Sequence, residues 1–152
     1  MIDDILKKLS IEIPVPPSPA GSYIPVITTG NLAFVSGQIP MKNGKVLFEG
    51  RVPENQSLES AREAAKICII NGLAQLKSNL GSLDKITKFV RISGFVNSDP
   101  EFYEQPRVIN AASDLLVDIF GDIAKHTRIA VGVSSLPLNS TVEIDMIVEF
   151  SS

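Results

Sequence analysis

Residues 142–150, VEIDMIVEF, carry a period of two over nine positions. Val142, Ile144, Met146, Val148 and Phe150 fall on one side of an extended chain, and Glu143, Asp145, Ile147 and Glu149 on the other. A strand with one apolar side needs an apolar partner laid against that side, and the rest of the chain supplies two. Leu58, Ala61, Ala65, Cys68, Ile69, Gly72, Leu73, Leu76 and Leu80 recur at helical spacing, opened by the capping residue Ser57 and closed by Gly81. Val108, Ile109, Ala112, Leu115, Leu116 and Ile119 form a second helical stripe, with Pro106 in its first turn and Gly121 after its end.

The remaining segments complete the order. Ile2, Ile5, Leu6 and Leu9 predict a short amphipathic helix within residues 1–10, with Asp3 and Asp4 in its first turn and Lys7 and Lys8 in its last. Residues 11–22 carry four prolines and form an extended connector. YIPVITT and LAFVSGQIP are β-rich runs joined by Gly30-Asn31, a Gly-first pair suited to a tight hairpin, and Pro25 suggests an edge or a bulge on the first of them. Asn43-Gly44 marks a turn into a short third strand. ITKFVRISGFV, residues 86–96, reads as a central strand covered on both faces for part of its length. RIAVGV and VEIDMIVEF flank SSLPLNST and read as a closing hairpin.

Helix, three strands, helix, strand, helix, two strands predicts an α+β fold: a mixed sheet with two long helices on one face and the other face open. In the run 128–133, Ile129, Val131 and Val133 alternate with Arg128, Ala130 and Gly132, so neither side suits a fully solvated surface. Burial against further copies of the same sheet, in a closed cyclic oligomer, accounts for that pattern.

Length and charge bound the function. At about 150 residues per domain, 152 residues make one domain, 1–152. Fourteen basic against 17 acidic residues leave a net charge of −3, with no basic run to neutralise phosphates, which argues against a nucleic-acid partner. One cysteine and one histidine exclude a disulfide framework and a Cys/His metal cluster. No run of 18 apolar residues and no secretory leader is present, so the expected setting is cytoplasmic, away from membranes. Walker, GxGxxG, GxSxG and HExxH motifs are all missing, and no cofactor is expected.

The residues that remain for chemistry are few. Arg128 opens an apolar strand, and its guanidinium fork matches a carboxylate bidentately; the same residue type also serves as half of a structural ion pair. Glu143 begins the polar side of the last strand, as a general base if its surroundings are dry, or as part of a solvated face. With a hairpin centred near Pro137, Glu143 stands opposite Gly132 and roughly 13 Å along the strand from Arg128, so a shared site needs long side chains or a second subunit. Tyr23 ends the connector, Ser36-Gly37-Gln38 suits a strand-ending bulge, and Asn110 lies on the second long helix; each is a polar candidate with an ordinary structural use. Cys68 lies on an apolar stripe and reads as a buried structural thiol, and His126 as a loop residue.

Taken together, SGQIP at 36–40, GFVNS at 94–98 and R-x8-LP-x5-VEID from Arg128 to Asp145 resemble the YjgF/RidA/L-PSP family, in order, over about residues 20–150. The N-terminal helix and VINAASDLLVDIFGD are similar to a RidA-like branch labelled endoribonuclease L-PSP or translation initiation inhibitor. The resemblance implies a chorismate-mutase-like fold, three subunits packing their sheets into a trimeric barrel, and ligand clefts between subunits. It implies hydrolytic deamination of reactive 2-enamines and 2-imines to 2-keto acids, without metal or cofactor. Arg128 then binds the carboxylate and Glu143 the hydrolytic water, with Tyr23, Ser36, Gly37, Asn110 and Ala130 at the cleft. Ala130 stands where the archetype commonly has cysteine. A non-enzymatic trimer that binds small carboxylates, or the endoribonuclease and translation-inhibitor role of the family's label, are the alternatives.

Overall fold

The computed structural model describes residues 1–16 and 22–152. The proline-rich connector expected at 11–22 therefore lies partly outside the described residues. Helix α1 spans Ile2–Lys8 and sets Leu6 into the core. It is tied down at its start, where the Ile2 amide donates to Asp84 Oδ1 at 3.0 Å, and along its side, where Lys77 meets Asp3 at 3.3 Å.

The main sheet has five strands in the order β1-β2-β7-β5-β6, formed by Val26–Thr29, Leu32–Gln38, Val142–Phe150, Ile86–Asn97 and Thr127–Val133 respectively. Gly30, at φ 57°, turns β1 into β2, and β1 is an edge strand, the first of the two options Pro25 left open. The expected single third strand is instead a separate hairpin of two-residue strands, β3 (Met41–Lys42) and β4 (Lys45–Val46). Asn43 and Gly44 both take positive φ, which matches a turn whose twist suits so short a pair.

Helices α2 (Leu58–Leu80) and α3 (Gln105–Phe120) lie on one face of the sheet. Ser57 Oγ accepts from the Ser60 amide at the start of α2, and Gly81 ends it at φ 89°. Ala61, Cys68, Ile69, Leu73 and Leu76 of α2 are fully buried with Val142, Ile144 and Val148 of β7, and Ile109 and Leu116 of α3 with Ile92 of β5. Each large side chain so buried contributes roughly 1.5–3 kcal/mol of transfer free energy. Two close approaches set the layer spacing. A Cβ on Gly72 would meet Met146 Cε at 2.6 Å, and one on Gly94 would meet Ile109 Cδ1 at 2.6 Å.

The closing hairpin expected from RIAVGV and VEIDMIVEF does not form. Strand β6 pairs with β5 in parallel, and β7 pairs with β5 antiparallel on its other side. The reason lies in α3. A strand, helix, strand sequence returns the second strand parallel to the first, and with β6 paired to one side of β5 the 134–141 loop leads to β7 on the other. The loop bridges over the end of β5 instead, with Leu138 and Asn139 both at positive φ.

Candidate functional site

The register divides the expected site residues into two groups on opposite faces of the sheet. Arg128 lies beside Ile92, which lies beside Met146, both buried under the helices. Glu143 lies beside Phe95, which lies beside Val131, on the other face. Within one chain the two backbones are two strands and three residues apart, about 14 Å from strand spacing and rise. The expected position of Glu143 opposite Gly132 is thereby corrected, because β5 stands between them.

The first group gathers at a bulge. Val35 pairs with Met146 and Gln38 with Ile144, so Ser36 and Gly37 together stand opposite Asp145 alone. Ser36 donates from its amide to Pro25 O and from Oγ to Ile24 O, both at 2.8 Å, which fixes the backbone just after Tyr23. The Tyr23 ring is exposed. Glu143 lays its carboxyl over Gly37: a Cβ there would sit 2.8 Å from Oε2. Only glycine leaves that space, so the SGQ bulge and the carboxylate form one unit. Partial burial pushes the Glu143 carboxyl above the usual glutamate range, and the neighbouring Asp145 charge raises it further. A carboxyl so tuned is a better proton acceptor than a solvated one.

The second group gathers on α3 and the edge strand β6. Arg128 Nη1 donates to Ser113 Oγ at 3.0 Å and Nη2 to the Pro106 carbonyl at 3.3 Å. Pro106, Asn110 and Ser113 follow one another at i, i+4 and i+7, so Asn110 lies on the helix stripe that borders Arg128. Ala130 is two residues along β6 from Arg128 and packs on the core. Among the described residues no carboxylate pairs with Arg128.

Cys68 is buried, donates weakly to Val142 O at 3.6 Å and has its thiol pushed well up by desolvation, as suits a structural residue. His126, expected as an idle loop residue, is engaged at both ring nitrogens, by Ser113 Oγ at 2.9 Å and by the Ala124 carbonyl. Sequence reasoning missed Ser113 altogether. Its one visible signal is a hydroxyl in step with Pro106 and Asn110 along α3.

No helix among the described residues is long and apolar enough to cross a membrane. The family described as "YjgF/chorismate mutase-like, putative endoribonuclease" matches residues 4–150. Protein TCP17 of Trypanosoma cruzi is 35% identical over 97% of this chain and 92% of its own. A 2-iminobutanoate/2-iminopropanoate deaminase of Dermatophagoides farinae is 28% identical over 93% of this chain and 95% of its own. Among solved structures, Atu1372 of Agrobacterium tumefaciens superposes with a TM-score of 0.93 at 45% identity, covering 99% of this chain and 92% of that one.

Proposed function

The chain belongs to the YjgF/chorismate mutase-like family, and on that premise we propose that it hydrolyses reactive 2-imino acids to 2-keto acids and ammonia at a site shared between copies. The observation that carries this reading is Arg128, a partly buried guanidinium held by neutral oxygens, with no acid paired to it among the described residues. Such a group suits a small carboxylate ligand. The sequence kinship with an imine deaminase supports the choice of substrate class.

The chemistry needs little from the protein. The carbon of a protonated imine is already electrophilic, so catalysis reduces to holding the carboxylate and aiming a water. Arg128 takes the carboxylate. Glu143 accepts a proton from water as its oxygen bonds to the imine carbon, giving a carbinolamine. The same carboxyl then returns the proton to nitrogen, the C–N bond breaks, ammonia leaves and the hydroxyl becomes the ketone as its proton passes to the departing base. Tyr23, Ser36, Gly37, Asn110 and Ala130 border the substrate in this reading.

Because Arg128 and Glu143 cannot meet in one chain, the site is completed by a second copy. The open sheet face supports such packing: Ile27, Phe34, Ile129 and Val131 are 57%, 38%, 38% and 38% exposed on it. A closed trimer of sheet faces covers them and brings the edge strand β6 of one copy toward the bulge of the next.

The test follows the decay of 2-aminoacrylate and 2-iminobutyrate, generated in situ by a dehydratase, with and without the protein. Faster decay that is lost in Arg128→Ala and Glu143→Gln is the expected result. A folded trimer that leaves the decay unchanged, yet is stabilised by 2-oxobutyrate, points instead to a carboxylate-binding protein without turnover.

A further inference from the structure

Resting on that reading of Arg128, we propose that Ser113 and His126 are positioning residues, which hold the guanidinium plane ready for the carboxylate before substrate arrives. The directions of the hydrogen bonds behind Arg128 carry the argument. His126 Nδ1 faces the Ala124 carbonyl, which can only accept, so Nδ1 carries the ring proton. In the neutral ring Nε2 then offers a lone pair, and the Ser113 hydroxyl, 2.9 Å away, donates to it. That commits the Ser113 hydrogen to His126 and turns the oxygen's lone pairs toward Arg128 Nη1, 3.0 Å away. The chain of donors runs one way, from Arg128 to Ser113 to His126 to Ala124.

Local geometry explains why one serine serves both partners. His126, just before β6, and Arg128, its second residue, are two positions apart, and both side chains reach Ser113 on α3. With His126 in place the hydroxyl cannot swing its hydrogen toward the guanidinium and oppose it. Two of the five N–H groups of Arg128 are spent on Ser113 and Pro106, and three remain for a carboxylate. A long side chain immobilised in advance loses less freedom on binding, which favours affinity more than the chemical step.

His126 is the chain's one histidine, so a long-range proton–nitrogen spectrum of labelled protein contains a single ring. At alkaline pH it should show the Nδ1–H tautomer; an Nε2–H ring overturns the proposed direction of the chain. Ser113→Ala should weaken 2-oxobutyrate binding and raise KM for 2-iminobutyrate by about tenfold. Its kcat should stay within about twofold of the parent. Ser113→Thr, which keeps the hydroxyl, should restore KM. His126→Phe should repeat the Ser113→Ala effect, and the double variant should add little, since both act through one oxygen. If Ser113→Ala leaves binding and KM unchanged while Arg128→Ala abolishes both, the positioning role falls and the function stands. If the wild-type protein neither binds 2-oxobutyrate nor speeds imine decay, the function falls and takes this role with it.

Discussion

Arg128 and Glu143 occupy opposite faces of one sheet, separated by β5, with Arg128 in the row of Ile92 and Met146 and Glu143 in the row of Phe95 and Val131. Their backbones stand about 14 Å apart by strand spacing and rise, and their side chains leave on opposite faces. In the proposed reaction the pair would therefore act between copies, with the assembly as part of the site.

Mixing inactive variants tests this directly. Arg128→Ala and Glu143→Gln should each be inactive alone. Denatured together in equal amounts and refolded, they should recover about a quarter of wild-type turnover, because a quarter of randomly formed sites draw an intact residue from each side. Recovery that stays at zero means that each site uses one chain.

Glu143 should set the pH response of the proposed reaction. Its folded-state pKa is raised by desolvation, then by Asp145, so imine hydrolysis should climb with pH through a midpoint above the ordinary glutamate range. The stability sign follows from the same shift. A carboxyl whose folded pKa exceeds its unfolded one favours the fold below the unfolded pKa, and this benefit is lost as pH rises through the folded pKa. Glu143→Gln should thus raise Tm relative to wild type at neutral pH, with the gap closing as the pH falls below the carboxylate range. Thermal melts across pH check both limbs.

Gly37 is held small by the carboxyl above it. Gly37→Ala puts a methyl 2.8 Å from Oε2 and must displace the Glu143 side chain. Turnover should fall by on the order of 10²-fold, the typical worth of a positioned general base. Stability should change by less than about 1 kcal/mol, because the displaced group is the free end of a partly exposed side chain. Steady-state rates beside a chemical denaturation curve separate the two.

Gly94 faces the core rather than the site. In Gly94→Ala the new methyl meets three atoms of the fully buried Ile109 within 2.9 Å. Overpacking of this kind costs about 1–3 kcal/mol. Ile109→Ala alone should cost about 2–5 kcal/mol, and the double variant should lose less than the sum of the two, since the cavity of one receives the methyl of the other. Urea unfolding of the four proteins gives the coupling.

Much of this architecture was legible in the sequence because it rests on local rules. Ser57 and Gly81 bound α2, Pro106 and Gly121 bracket α3, and the alternation of Val142–Phe150 separates a core side from an open side. The Ser36-Gly37 bulge was legible too, as a strand-ending irregularity. The Asn43-Gly44 turn was visible, but not that it closes a hairpin of its own rather than feeding the main sheet.

What the sequence by itself determined is where the helices begin and end and which residues of the last strand turn inward, since capping, period and residue type act over a few neighbouring positions. Strand order was decided only by tertiary structure. Whether β6 joins β7 or β5 depends on competition between pairings that are distant along the chain, and the crossover through α3 settles it in favour of β5. That single choice moved Arg128 and Glu143 to opposite faces. It also brought Ser113 and His126 behind the arginine, a contact between a helix and a strand that no spacing in the sequence encodes.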